Sequence, residues 1–195
     1  MKIYDISQEV LSCAVFPGDP APQSMQLFSI KEGDLCNLTA FTMCSHNGTH
    51  VDAPSHFIRD GKTIDRIPAD VFVGNCFVIR MDKEIDAEDA SEIIKRARSV
   101  DAVERILIAG KATVTESAAQ VFAFEKIKLL GNESQTVGPE KAPAKVHEIL
   151  LDQGIVLLEG VRLDNIPNGK YLLSAAPLNF KDFEGSPCRA VLIEM

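Results

Sequence analysis

The chain has 195 residues, 46% hydrophobic and 25% charged, enough for one sizeable core, and its length favours a single domain spanning 1–195. A net charge of −8 makes it a poor ligand for phosphate backbones, and its densest basic cluster, Lys95-Arg96-Ala97-Arg98, reads as a solvated helix face, so nucleic acid is not an expected partner. No stretch approaches the ~18 apolar residues of a membrane span, Met1–Glu9 lacks the apolar region of a secretory signal, and five widely spaced cysteines without a C-x-x-C point to the cytoplasm.

Taken in chain order, Lys2–Ile6 alternates weakly as a strand. A stretch of turns around Pro17-Gly18, Pro20 and Pro22 follows, and Asn37–Cys44 is rich in strand formers. Val71–Arg80 predicts a longer strand. Arg105–Ala109, Ile127–Leu130 and Ile155–Leu158 are short apolar runs of the kind found in a sheet covered on both faces. Three helices fit between them. Asp86 caps one through Ser99, with Ile93, Ile94 and Ala97 on one face; Thr115 caps a second through Phe124; a third runs from Pro143 to Gln153 with Gly154 as its stop. Tyr171–Ser174 and Cys188–Glu194 complete the strands. The pattern predicts an α/β fold, a mixed sheet with flanking helices.

The most informative chemistry lies in Ser45-His46-Asn47-Gly48-Thr49-His50-Val51-Asp52-Ala53-Pro54-Ser55-His56, where three of the chain's four histidines fall within eleven residues. Imidazoles and carboxylates are the usual ligands of zinc and its neighbours. Gly48, Thr49, Val51 and Pro54 disfavour a long helix here. A strand end with a tight turn at Gly48 fits better, and it projects His50 and Asp52 to the same side. Nothing in loop formation itself calls for imidazole, so a metal or catalytic site is the preferred reading over a polar surface loop. Cys44 at a strand end is more often buried than ligating, and Ser45 and Ser55 lack the Gly-x-Ser-x-Gly elbow of a serine hydrolase.

The fourth histidine, His147, lies in the third helix, and Glu159 lies twelve residues on, at the end of the strand after Gly154. Descending six helical residues covers ~9 Å, and climbing four or five strand residues covers ~13–16 Å, so the two can return to similar heights. Taken singly, either residue reads as well as a solvated surface group. The apolar run before Glu159 favours a partner, because a carboxylate ending a buried strand needs one.

These residues resemble a known family. The segment is similar to the His-x-Gly-Thr-His-x-Asp-x-Pro-x-His signature of the cyclase-like metal-dependent hydrolases, which include enzymes of the kynurenine formamidase and isatin hydrolase type. Phe16-Pro17-Gly18-Asp19, Val146–Leu151 with Gly154–Glu159, and Gly185-Ser186-Pro187-Cys188-Arg189-Ala190 resemble further blocks of that family in the same order. The resemblance implies a swivelling β/β/α-type single domain and two divalent metals per chain, zinc or alternatively manganese. It implies that His46, His50 and Asp52 hold one metal and His147 and Glu159 the other, with Asp52 and Glu159 bridging. It further implies His56 as the proton shuttle, Phe16 lining the substrate pocket, and a homo-oligomer, a dimer or larger. Asn47 and Thr49 are expected to orient the ligating imidazoles from behind.

The expected reaction is hydrolysis of a small amide, such as a formyl-arylamine, by metal-activated water. Hydrolysis or cyclisation of a lactone or other small ring is the alternative within the enzymes. A non-catalytic protein with a saturated metal site is the alternative outside them. Three departures from the family pattern bear on the substrate: the absence of Trp where Phe16 stands, the ending Ile108-Ala109-Gly110-Lys111, and Gly131-Asn132-Glu133-Ser134 in place of Gly-Ile-Asp.

Overall fold

The computed structural model describes residues 1–194. In chain order the elements are β1 (Lys2–Asp5), β2 (Gln23–Phe28), β3 (Leu38–Thr42), β4 (His50–Asp52), β5 (Val73–Arg80), β6 (Glu84–Ile85), α1 (Ala87–Ser99), β7 (Arg105–Ala109), β8 (Thr113–Val114), α2 (Glu116–Glu125), β9 (Leu129–Asn132), α3 (Ala144–Asp152), β10 (Val156–Glu159), β11 (Gly169–Ser174), β12 (Gly185–Pro187) and β13 (Val191–Glu194). Nine strands form one mixed sheet in the order β1-β13-β11-β5-β7-β9-β10-β4-β12. Its centre, β5-β7-β9-β10, is parallel, and the flanking pairs are antiparallel. The mixed α/β fold expected from the sequence is the fold observed.

The period-2 alternation of strands sorts the core into two layers. Phe77, Ile79, Ile106, Ile108, Leu130 and Leu157 point towards the helices, where Ile93, Ile94, Phe122, Val146 and Leu150 meet them. Cys76, Val78, Leu107, Leu129, Val156 and Leu158 point the other way, into a second core closed by Ile6, Val51, Leu163, Leu173 and Leu192. The central runs are apolar throughout because both faces are covered.

The helix boundaries follow from local chemistry. Asp86 accepts from the Glu88 and Asp89 N–H groups while the Asp89 side chain accepts from the Asp86 N–H, a reciprocal capping box. The Thr115 hydroxyl accepts from the Ala118 N–H at 3.3 Å. At the end of α3, the Gly154 N–H bonds Leu151 O at 2.9 Å and the Ile155 N–H bonds Leu150 O at 3.2 Å. This Schellman pair turns the chain straight into β10.

The strand expected within Asn37–Cys44 is β3, which pairs with β2 in a separate hairpin whose strands are both largely exposed. One expectation needs correction: Cys188–Glu194 is not one strand. Only Val191–Glu194 joins β1 and β11, while Gly185–Pro187 pairs with β4 at the opposite edge of the sheet. Among the described residues, no helix is long and apolar enough to cross a membrane.

Candidate metal site

The site lies where β4 is held between β10 and β12. In the antiparallel β4–β10 pairing, His50 stands opposite Glu159 and Asp52 opposite Leu157. Leu157 belongs to the helix-facing core, so the alternating side chains of His50, Asp52 and Glu159 share its face. α3 brings His147 down onto that same face. All four side chains are buried.

Gly48 makes the turn into β4. Its backbone has φ +65°, and a Cβ there would lie 2.8 Å from the Cys13 Cβ, so both the conformation and the close approach require glycine. The Gly48 carbonyl lies 3.0 Å from His50 Nδ1. With Nδ1–H donating to it, Nε2 is the nitrogen that faces inward. His147 is set in the same way, its Nδ1 2.9 Å from Pro143 O, one helical turn back.

The inward atoms converge. His147 Nε2 lies 3.2 Å from Glu159 Oε1 and 3.7 Å from Asp52 Oδ2. His50 Nε2 lies 3.4 Å from Asp52 Oδ1 and 3.5 Å from Glu159 Oε2. His46 approaches with Nδ1, 2.8 Å from Asp52 Oδ1. Two ligand-type triplets result, His46–His50–Asp52 and Asp52–His147–Glu159, each with its donor atoms within 4.8 Å of one another, and Asp52 is common to both.

The electrostatics suit divalent cations. Burial works against charge on His50, but the Asp52 and Glu159 carboxylates outweigh it and raise the imidazole to about 10. His147 is raised too, against the penalty of its burial, chiefly by the Glu159 carboxylate. Burial would push the Asp52 carboxyl up, yet hydrogen bonds from His46 and His50 hold it well below the ordinary carboxylate range. Asp52 Oδ2 is buried and has no hydrogen-bond partner. Two buried carboxylates drawing protons onto imidazoles, with one oxygen unpaired, form a donor set that a divalent cation would satisfy.

His56 stands beside both triplets and belongs to neither. It ends a 3-10 turn, Pro54–His56. Its ring stacks on His46 with centroids 4.0 Å apart and meets the edge of Phe57 at 4.6 Å. Phe57 also packs on His147 at 4.7 Å. Burial lowers the His56 imidazole, which favours its neutral form.

The remaining expected residues sit further back. Phe16 is half-buried in a turn in which Asp19 N–H bonds Phe16 O at 3.0 Å, and Ala14 O receives the Gly48 N–H at 3.1 Å. The hydrogen bonds of Asn47 and Thr49 run to the backbone. Asn47 Oδ1 accepts the Cys44 N–H at 2.8 Å. Thr49 Oγ1 donates to Gly160 O at 2.7 Å and accepts the Gln8 N–H at 2.9 Å. Both side chains brace the loop, because its exposed backbone groups need partners. Sequence reasoning missed Phe57 and Glu184; the signal available was their adjacency to His56 and to the Gly185-Ser186-Pro187 block.

An α/β sheet gathering three imidazoles, Asp52 and Glu159 into one buried cluster defines the class: an α/β protein whose donor set is consistent with a metal site of the kind used by metal-dependent hydrolases. The profile of the cyclase family, described as "Putative cyclase", matches residues 4–139, and the chain belongs to that family. It is 31% identical over 206 residues to a kynurenine formamidase of Salinibacter ruber, covering 98% of this chain and 97% of that one. A solved structure described as a potential metal-dependent hydrolase with cyclase activity superposes with a TM-score of 0.81 at 26% identity, covering 98% and 96% of the two chains. Isatin hydrolase A from Labrenzia aggregata shares the fold, with a TM-score of 0.82 at 23% identity over 100% and 94%.

Proposed function

We propose that the protein hydrolyses a small amide, a formyl-arylamine such as N-formylkynurenine, at two divalent cations, zinc or manganese. The observation that carries this reading is the pair of ligand-type triplets sharing Asp52, with the His56 imidazole stacked on His46 and outside both. The kinship with kynurenine formamidases supports the substrate class.

In this reading His46, His50 and Asp52 hold one cation, and His147 and Glu159 hold the other together with Asp52. When bound, the cations supply an acidified water and an electrophile for the carbonyl oxygen. The chain does the rest. The Gly48 and Pro143 carbonyls fix the tautomers of His50 and His147 with Nε2 inward. The Val137 N–H, 2.8 Å from Glu159 Oε1, orients that carboxylate. His56 takes a proton from the attacking water and returns it to the departing amine. An imidazole whose neutral form is favoured by burial is suited to begin that cycle. Phe16 contributes an aromatic wall against the substrate ring.

We also read the protein as a homodimer in the cytoplasm. The β2–β3 hairpin exposes Met25, Leu27, Phe28 and Phe41. A cavity of about 910 Å³, whose lining includes Val10, Leu11, Phe41 and Leu178, lies against it. A hairpin this apolar is poorly stable alone in water, and a second copy would cover it. The five cysteines are widely spaced without a C-x-x-C, which supports a reducing compartment.

The test is turnover of zinc- or manganese-loaded protein on N-formylkynurenine, isatin and a small lactone. Preference for the formyl-arylamine by at least tenfold in kcat/KM is expected. A fully loaded protein that opens only the lactone, or none of the three, overturns the reading.

A further inference from the structure

The three candidate imidazoles are not held alike. His50 and His147 each turn Nε2 inward and lean Nδ1 on a backbone carbonyl. His46 is reversed: its Nδ1 faces Asp52, and Nε2 is the outward nitrogen. No carbonyl receives it, and Nε2 is buried without an aligned hydrogen bond. A metal-facing imidazole needs an acceptor behind it to fix its tautomer and ring plane.

One group stands there. Glu184 Oε1 lies 3.4 Å from His46 Nε2, an ion-pair separation. The same oxygen accepts the Ser45 hydroxyl at 2.6 Å, so the carboxylate is aimed by the residue preceding its target. The backbone is fixed as well, since Glu184 O accepts the Ala53 N–H at 2.8 Å and Gly185 stands opposite Asp52 in the β4–β12 pairing. The His46 ring lies directly on Gly185, where a Cβ would come within 2.5 Å of Cε1, and His56 stacks on the ring at 4.0 Å. The side chain of Glu184 is 43% exposed, so it has room to close the remaining distance by a small rotation.

We infer that Glu184, aimed by Ser45, is a positioning residue that takes the outward Nε2–H of His46 and so holds Nδ1 ready for a cation. This rests on the reading of the cluster as a metal centre. The role would explain why β12, a strand of three residues, is paired to β4 at all: the pairing fixes its glycine, and the carboxylate just before it, where together they cradle the ring.

The experiment is chelator competition for zinc(II) and for cobalt(II) on the full chain, comparing the parent with Glu184→Ala, Glu184→Gln and Ser45→Ala. Glu184→Ala should weaken cation binding by about 10- to 100-fold, with the melting temperature of the metal-free protein unchanged. Glu184→Gln, which keeps an acceptor oxygen, should recover part of the loss, and Ser45→Ala should show a smaller loss of the same kind. If Glu184→Ala competes for both cations as well as the parent does, the inference is overturned while the metal centre stands. If the parent itself takes up neither cation, both fall. Should the alanine variant fold poorly, Glu184→Gln decides, and parent-like binding by it and by Ser45→Ala counts against the inference.

Discussion

The cluster is assembled from two stretches built on opposite principles. α3 and β10 are regular structure. A Schellman stop at Gly154 joins them, β9 and β4 flank the strand, and His147 and Glu159 meet because a helix descends and a strand climbs. Residues 44–56 are mostly turn, with a strand of three residues and a glycine at φ +65°. They hold their shape through distant partners: Ala14 and Gln135 on Gly48, Gly160 on Thr49, and Glu184 O on Ala53. The regular half is stiff by its own hydrogen bonding. The loop half is braced instead by distant neighbours that bond several of the backbone groups it leaves open.

Asp52 is the residue common to both ligand-type triplets, so its loss gives the sharpest break. Asp52→Ala should strip most metal from both positions and abolish measurable turnover, read as metals per chain by elemental analysis after reloading. Full retention of metal would show that the halves bind independently and that the sharing seen in the geometry has no energetic meaning.

A smaller effect belongs to the loop half alone. His56→Ala should lower kcat by about 10²–10⁴-fold with metal content unchanged, because His56 contributes to neither triplet. Loss of metal in that variant would make His56 a ligand, and the proton would need another carrier.

The contrast also explains what the sequence disclosed. His46, His50, Asp52 and His56 were legible because three imidazoles in a loop have no structural excuse. His147 and Glu159 were ambiguous, because a histidine on a helix and a glutamate at a strand end are ordinary; only the length of the return path and the apolar run before Glu159 suggested a meeting. The helices were legible to within a residue or two, since capping at Asp86 and Thr115 and the stop at Gly154 are local chemistry. The hairpin and the β4–β12 pairing were not legible. Exposed strands show no alternation, and a three-residue strand whose partner lies more than 130 positions away leaves no local trace. Glu184 went unread for the same reason.

The smallest expected effects set the two building principles side by side. Gly48→Ala places a Cβ against Cys13 and forces an alanine into the left-handed region, at a cost of roughly 1–3 kcal/mol. Asp86→Ala removes the capping box of α1 and should cost about 1 kcal/mol. Denaturant titration of the metal-free proteins measures both losses, and they overlap in size. The metal does not treat them alike. Gly48 carries the carbonyl behind His50 Nδ1, so its displacement should weaken zinc binding by more than its stability cost accounts for. Asp86 lies on the far side of a packed helix layer, and its variant should bind zinc as the parent does. Equal metal affinity in the two variants would mean that the loop tolerates displacement of its turn, and the distinction between self-supported and neighbour-supported halves would lose its consequence for function.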